Sequence, residues 1–380
     1  MNILINFSAL KKGGGQNVAL NFLHGLFELK YPTHTFFFLV VKHSAIHKYL
    51  QERKQQNIIF SAGSPIKRIV QEFFKLPKTL NRLNIDITYT YFGYGLFNNS
   101  IPQVSGVAVS NIFFPEIKFW EGSSLKLLMY KIIDRYRLYG IKKANALIFE
   151  NQAMEERAHR IYKILKSKTT YIAPSFNPTF EQQELKINGL KKDTTKLLML
   201  CGWQRNKNIM KVPEIASLLK QASEEFRFII TAPEDNSTDH LEFSRLVEKY
   251  GVKEMISIIG PVSKQQLKSL YSQIDFVLLM SKLESFSNNI IEAWYFKKPL
   301  IVSNEEWSKA ICKNAGYYVN RESSREVSDS IYQLYKSENI QSQLIQSGLE
   351  NLKEYPSIKE KTSLEIEFLE KIYHDFKTTV

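Results

Sequence analysis

Phe276-Val277-Leu278-Leu279-Met280 is an uncharged apolar run, followed by Ser281-Lys282-Leu283-Glu284-Ser285-Phe286-Ser287 and then by Asn289-Ile290-Ile291-Glu292-Ala293-Trp294-Tyr295-Phe296. A run of this length reads as a strand buried on both faces, the pattern of a parallel sheet. The apolar residues that follow have helical spacing, and Leu300 to Val302 reads as the next strand. In an open parallel sheet, ligands bind beyond the carboxyl ends of the strands, which is where the Ser281–Ser287 loop falls. A helix start there offers free N–H groups and a positive dipole end to a diphosphate. Glu284 lies in the loop and Glu292 about one turn into the helix, so both can face one cleft. Carboxylates accept hydrogen bonds from adjacent hydroxyls, which suits a sugar ring or a ribose. Taken alone, the pair reads equally well as an exposed loop glutamate and a solvated helix glutamate.

The same alternation extends in both directions. Strands are expected at Lys196 to Cys201, Phe226 to Thr231 and Ile256 to Ile259, separated by helical patterns, with helices only after Val302. In the first half, strands are expected at 2–7, Thr35 to Val41, Ile58 to Phe60, Ile85 to Tyr89, Val104 to Val109 and Ala146 to Phe149. Alternating strands and helices imply parallel sheets covered on both faces. Two prolines and several turn formers between Tyr171 and Pro178 mark the boundary. The fold class is α/β, with two Rossmann-like doubly wound domains and a ligand cleft between them. The domains are 1–172 and 176–355, and a terminal helix, 356–380, packs back on the first.

A chain of 380 residues with 44% hydrophobic content supports two cores. No apolar run approaches the roughly 18 to 20 residues of a membrane span, and Met1 to Phe7 lacks the order of a signal peptide. Cys201 and Cys312 lie in apolar elements and read as buried free thiols in a reducing compartment. Residues 1–175 carry 24 Lys and Arg against 10 Asp and Glu, so the whole +13 excess lies in the first half. Such a domain suits an anionic membrane, a phosphorylated lipid or nucleic acid, or is simply a solvated basic surface. No RNA-binding or zinc-finger pattern is present, and nucleic acid is not an expected partner. Seven histidines show no metal-ligand spacing, so no metal is expected.

Glu284-Ser285-Phe286-Ser287, then Ile291-Glu292-Ala293 and Lys298-Pro299-Leu300-Ile301-Val302, resembles the paired-glutamate motif of the family 4 retaining glycosyltransferases with the GT-B fold. Ile259-Gly260-Pro261-Val262, Leu267, Leu270-Tyr271 and Asp275 are similar to that family's run before the motif. The resemblance covers about Lys196 to Asp329, more loosely the first half. It implies that Glu284 touches the transferred sugar, with Ser285, Phe286 and Ser287 around the donor. Glu292 would hold the ribose, and Val262 would lie near the base. The loop Gly202-Trp203-Gln204-Arg205-Asn206-Lys207-Asn208 looks like the family's basic loop, in which Arg205 and Lys207 would neutralise the leaving diphosphate. Fixed cations there stabilise the charge that develops as the sugar–phosphate bond breaks; a solvated basic turn is the plainer alternative.

Gly13-Gly14-Gly15 follows the first strand, where the family has a glycine loop; Gly14 and Gly15 are expected to admit positive φ and close approach of the donor. Many members carry a histidine near the sugar, but Val107 to Glu116 has none. Ser110 and Asn111 could bond a sugar hydroxyl and Glu116 could orient an acceptor. The resemblance implies a metal-independent transfer from a nucleotide sugar to a glycan or lipid-linked glycan hydroxyl in surface polysaccharide (O-antigen or capsule) synthesis. The place expected is cytoplasmic, peripheral on the inner face of the membrane. Segment Ile66 to Leu83, with Lys67, Arg68, Lys75, Lys78 and Arg82, reads as a membrane-facing amphipathic element or as core with a basic outer face, with Pro77 breaking or ending a helix there. A nucleotide-sugar 2-epimerase or an inactive GT-B subunit are the rival readings.

Overall fold

The computed structural model describes residues 1–10, 14–63, 65–96, 100–177, 183–187, 194–222 and 226–379. The chain forms two units: Met1–Asn177 with Tyr355–Val380, and Pro178–Glu354. The first unit contains strands β1 (Asn2–Asn6), β2 (Thr35–Val41), β3 (Ile58–Ser61), β4 (Ile87–Thr90), β5 (Gln103–Val107), β6 (Ala146–Phe149) and β7 (Thr169–Tyr171). They lie in the order β3-β2-β1-β4-β5-β6-β7, and every pairing is parallel. In the second unit, β8 (Thr195–Met199), β9 (Phe226–Ile230), β10 (Ile256–Ile258), β11 (Phe276–Leu279), β12 (Leu300–Ser303) and β13 (Tyr317–Val319) lie in the order β10-β9-β8-β11-β12-β13. This sheet is also parallel throughout. The doubly wound α/β class expected from the sequence is the observed one.

Both sheets change winding direction once, between β1 and β4 and between β8 and β11. Loops leaving adjacent strands at such a switch point part to opposite faces and open a crevice at the carboxyl edge. The central strands are apolar because helices cover both faces: Leu197, Leu198, Val277 and Leu278 are all buried.

The expectation of helices only after Val302 is corrected by β13. Its three residues, Tyr317-Tyr318-Val319, are too few to show a period, and only pairing to Ile301, Val302 and Ser303 makes them a strand. Pro77 is a second correction, because it does not end its helix. The segment runs helical through Pro65–Val70, a π-helical Gln71–Lys75 and Leu76–Arg82. The Leu76 amide donates to the Gln71 carbonyl, five residues back. That wider turn accommodates the proline ring, which would otherwise meet the carbonyl four residues before it.

The terminal helix Ile358–Thr379 belongs to the first unit. Ile366, Leu369 and Ile372 enter the core built on β1, β2 and β4. Lys361 contacts Glu150, which follows β6, and reaches Glu365 at 3.8 Å; all three are buried. The Tyr89 hydroxyl donates to Glu365 at 3.1 Å. Burial pushes the Glu365 carboxyl up to about 7, against the pull of Lys361. One cation between two buried carboxylates thus fastens this helix to the sheet.

Candidate functional site

At the carboxyl ends of β8 and β11 two loops meet. After β8 the chain turns through Gly202 into a single 3-10 turn, Arg205–Lys207, and Asn208 follows in the left-handed region at φ 61°. After β11 it runs through Met280–Ser287 into the helix Asn288–Tyr295. The Lys282 amide donates to the Asn206 carbonyl at 2.7 Å, joining the loops through their backbones. The Lys207 ammonium and Glu284 carboxylate then meet at 2.5 Å, each side chain only 15% exposed. A salt bridge this sheltered from water is held in one geometry, unlike a surface pair.

The supports of this pair lie in residues whose role the motif does not announce. The Asn208 amide donates to the Arg321 carbonyl at 2.6 Å and fixes the end of the basic turn. Ser303 Oγ donates to the Ser281 carbonyl at 2.8 Å, and Trp307 Nε1 to the Lys282 carbonyl at 3.2 Å, so β12 and the helix after it hold the glutamate loop. Asn289 Nδ2 donates to the Leu200 carbonyl at 2.9 Å and ties the helix start to β8. For the two asparagines the sequence signals were an asparagine inside a basic turn, a residue type that tolerates the left-handed region, and an asparagine at a helix start; nothing local pointed to Ser303 or Trp307.

Glu292 stands in the helix Asn288–Tyr295, half-buried, with the buried Tyr271 hydroxyl donating to its Oε2 at 3.1 Å. Burial raises its carboxyl to about 7, opposed by the Tyr271 hydrogen bond and by Lys264. Tyr271 stacks on Phe296 at 4.6 Å between centroids, which fixes the hydroxyl. A carboxyl titrating near neutrality with an acceptor oxygen at hand is suited to receive hydroxyl donors. Ser285 and Phe286 are half-buried beside Glu284, and Ser287, buried, is the residue before the helix. Val262 is half-buried in the loop after β10, following Gly260 at φ 77°.

Arg205 goes elsewhere. Its guanidinium binds Asp239 at 2.7 Å and Glu242 at 2.5 Å on the helix Thr238–Tyr250, and those hydrogen bonds raise its pKa. Two carboxylates therefore hold it, while Lys207 alone reaches Glu284. Cys201 is half-buried and Cys312 buried, both free; burial pushes the Cys201 thiol up to about 12, which disfavours the thiolate.

In the first unit, Gly14 and Gly15 begin the helix Gly14–Leu29 with no positive φ, so conformational freedom is not what they supply; Gly13 lies outside the described residues. A Cβ on Gly14 would meet nothing, which leaves its backbone approachable, whereas one on Gly15 would press Leu10 at 3.0 Å. Ser110 is buried at the start of a short helix. Asn111 donates to Asp134 at 2.7 Å, and Glu116 pairs with Arg157 at 2.7 Å. Both acceptor candidates thus already have protein partners. Arg68 is not part of a basic outer face: it binds buried Glu72 at 2.8 Å, the Ser8 carbonyl at 3.2 Å and the Tyr94 hydroxyl at 3.0 Å. The inward pull comes from Glu72, one helical turn away. The side chains of Ile66 and Ile69 lie outside the described set.

The chain is similar to several solved structures over nearly its whole length. A glycosyltransferase from Rickettsia africae aligns with TM-score 0.71 at 15% identity, over 98% of each chain. Sucrose-phosphate synthase of Thermosynechococcus elongatus aligns with TM-score 0.74 at 14% identity, over 99% of this chain and all of that one. HepE of Anabaena, solved with UDP and glucose, gives 0.69 at 14%, over 98% of this chain and all of that one. At such identities the likeness is one of fold. No curated protein sequence matches the chain. Residues 180–351, which carry Lys207, Glu284 and Glu292, match the family described as glycosyl transferases group 1. That domain, on two Rossmann-like units of GT-B type, makes the chain a glycosyltransferase.

Proposed function

We propose that the enzyme moves a hexose-type sugar from a nucleoside diphosphate to a hydroxyl of a glycan, lipid-linked in the cell, with retention of configuration. The observation that carries this reading is the Lys207–Glu284 contact at the carboxyl ends of two adjacent central strands. Breaking the bond between the anomeric carbon and the diphosphate leaves negative charge on the diphosphate. Lys207 is the fixed cation for that charge, in the role a metal has elsewhere. Glu284 then faces the sugar, and Glu292 accepts from the ribose hydroxyls. The donor's phosphates must draw Lys207 from Glu284, so the resting contact is a latch that donor binding exchanges. Arg205, already held by two carboxylates, contributes less. Retention and a role in surface polysaccharide synthesis at the inner face of the membrane rest on the motif resemblance and the basic first half. The UDP of the Anabaena structure makes uridine nucleotides the first to test.

The test is a thermal-shift series with UDP, GDP, dTDP, CMP and ADP on wild type, Glu292→Ala and Lys207→Ala. A ligand at 100 times its Kd adds about 2.7 kcal/mol. Stabilisation by one diphosphate, lost in both variants, supports the donor site. Stabilisation by none contradicts it. Product analysis of the matching nucleotide sugar without acceptor separates transfer from epimerisation.

A further inference from the structure

The helix Ser124–Lys143 leaves an apolar face uncovered. Leu125, Leu128, Met129, Ile132 and Tyr139 are 78, 55, 49, 60 and 54% exposed, where a helix packed on a sheet would bury its apolar residues. At 100° per residue these five positions fall within an arc of about 100°, a single stripe. Exposed Lys126, Lys131, Arg135 and Lys142 flank the stripe, and Lys143 closes its end. The helix holds six basic residues and one acidic, Asp134. That carboxylate points away from the stripe, accepting from Asn111 and Trp120 at 2.7 Å and pairing with Arg137 at 3.2 Å. What remains on the outer face is apolar and cationic. Tyr136, on the same arc, packs against Tyr94 at 5.2 Å between centroids, and Tyr94 accepts from Arg68. Through these contacts the stripe adjoins the segment Pro65–Arg82, where Val70 and Phe74 are 47 and 69% exposed.

We propose that the Ser124–Lys143 helix lies in the surface of an anionic bilayer, its Leu125–Tyr139 stripe among the acyl chains and its flanking lysines and arginines at the headgroups. The charge selects a bilayer over a second copy of the chain, because two such faces would bring ten basic residues together. Among the described residues no helix is long and apolar enough to cross a membrane, and this one, interrupted by charge, would lie on it. The sequence offered Ile66 to Leu83 as a membrane-facing element or as core; the exposed stripe centres membrane contact on the neighbouring helix instead. The identity of the surface rests on the lipid-linked acceptor reading above, but the exposure pattern does not.

Flotation of the full-length protein with phosphatidylglycerol–phosphatidylethanolamine vesicles, against phosphatidylcholine vesicles, tests this. Wild type should float with the anionic vesicles only, and less so as salt is raised. The double variant Leu128→Glu, Ile132→Glu should partition at least about tenfold less. Lys131→Glu with Arg135→Glu should also lose roughly tenfold, on the anionic surface alone. All four sites are exposed, and an unchanged melting temperature reports intact folding. Failure of wild type to float, equal binding to phosphatidylcholine, or flotation of Leu128→Glu, Ile132→Glu like wild type would each overturn the proposal. So would a wild-type dimer that the same variant dissociates while vesicles bind neither. Nucleotide stabilisation is read separately: its absence with flotation intact sinks the donor site and leaves this inference standing.

Discussion

Glu292 is an ionisable group whose environment works against its charge. Its carboxyl titrates near 7 in the folded chain and near 4.5 when unfolded. The folded state therefore binds the proton more tightly, and stability falls as pH rises from about 4.5 to about 7, then levels. Glu292→Gln should raise stability by about 1–3 kcal/mol at pH 8, a gain that fades to nothing below pH 4.5; paired melts across pH measure it. The ionised carboxylate accepts from hydroxyls with both oxygens and more strongly than the protonated acid, so wild-type nucleotide affinity should weaken below pH 7 by up to about tenfold per pH unit, read by calorimetry. The same substitution should thus stabilise the protein and weaken donor binding. Lys207 and Arg205 make a second contrast. Lys207→Ala should lower kcat by about 100- to 1000-fold. Arg205→Ala, which removes pairs that are 40% exposed at the arginine, should cost less than about 1 kcal/mol and leave kcat within about tenfold.

The helix Asn288–Tyr295 holds Glu292 because its other face is clamped. A Cβ on Gly348 would lie within 3.2 Å of three Trp294 atoms, so the helix Glu338–Leu352 presses directly on the residue two after Glu292. Trp294 Nε1 donates to the Ala315 carbonyl at 3.2 Å and cannot give way freely. Gly348→Ala should cost about 1–3 kcal/mol and weaken nucleotide binding, measured by denaturant melts and titration. Gly14→Ala, which meets open space, is the control and should fold normally. Elements of this kind were readable when their hydrophobic period ran its length, as in the helix after Ser287. The π turn before Pro77 was not, because a proline in a helical pattern reads the same whether the chain stops or widens its turn.

At the scale of the molecule, the first unit closes only with residues from the far end of the chain. Deleting 355–380 removes Ile366, Leu369 and Ile372 from its core, and leaves buried Glu150 without Lys361. Fully buried side chains contribute about 1.5–3 kcal/mol each, and an uncompensated buried charge costs about 3–5. Together these come to about 7–14 kcal/mol, comparable to the whole stability of an ordinary domain, so the truncated chain should lose the cooperative melt of its first unit in calorimetry. Lys361→Met alone should lower stability by about 3–5 kcal/mol, for the same stranded carboxylates.

Sequence alone determined the α/β class, the succession of strands, and the local strand–loop–helix that carries Glu284 and Glu292, because all of these are written in residues close together along the chain. It also located the basic turn holding Lys207. Tertiary structure decided which cation meets Glu284: Lys207 and Arg205 are two residues apart, and only the helix Thr238–Tyr250, some 30 residues on, draws the arginine away. It likewise raised the Glu292 carboxyl, since burial is a property of packing, and gave Asn111 and Glu116 protein partners in Asp134 and Arg157. The uncovered stripe of Ser124–Lys143 belongs to the same class. A helical period tells that a face is apolar, and only the arrangement of the other elements tells whether anything covers it.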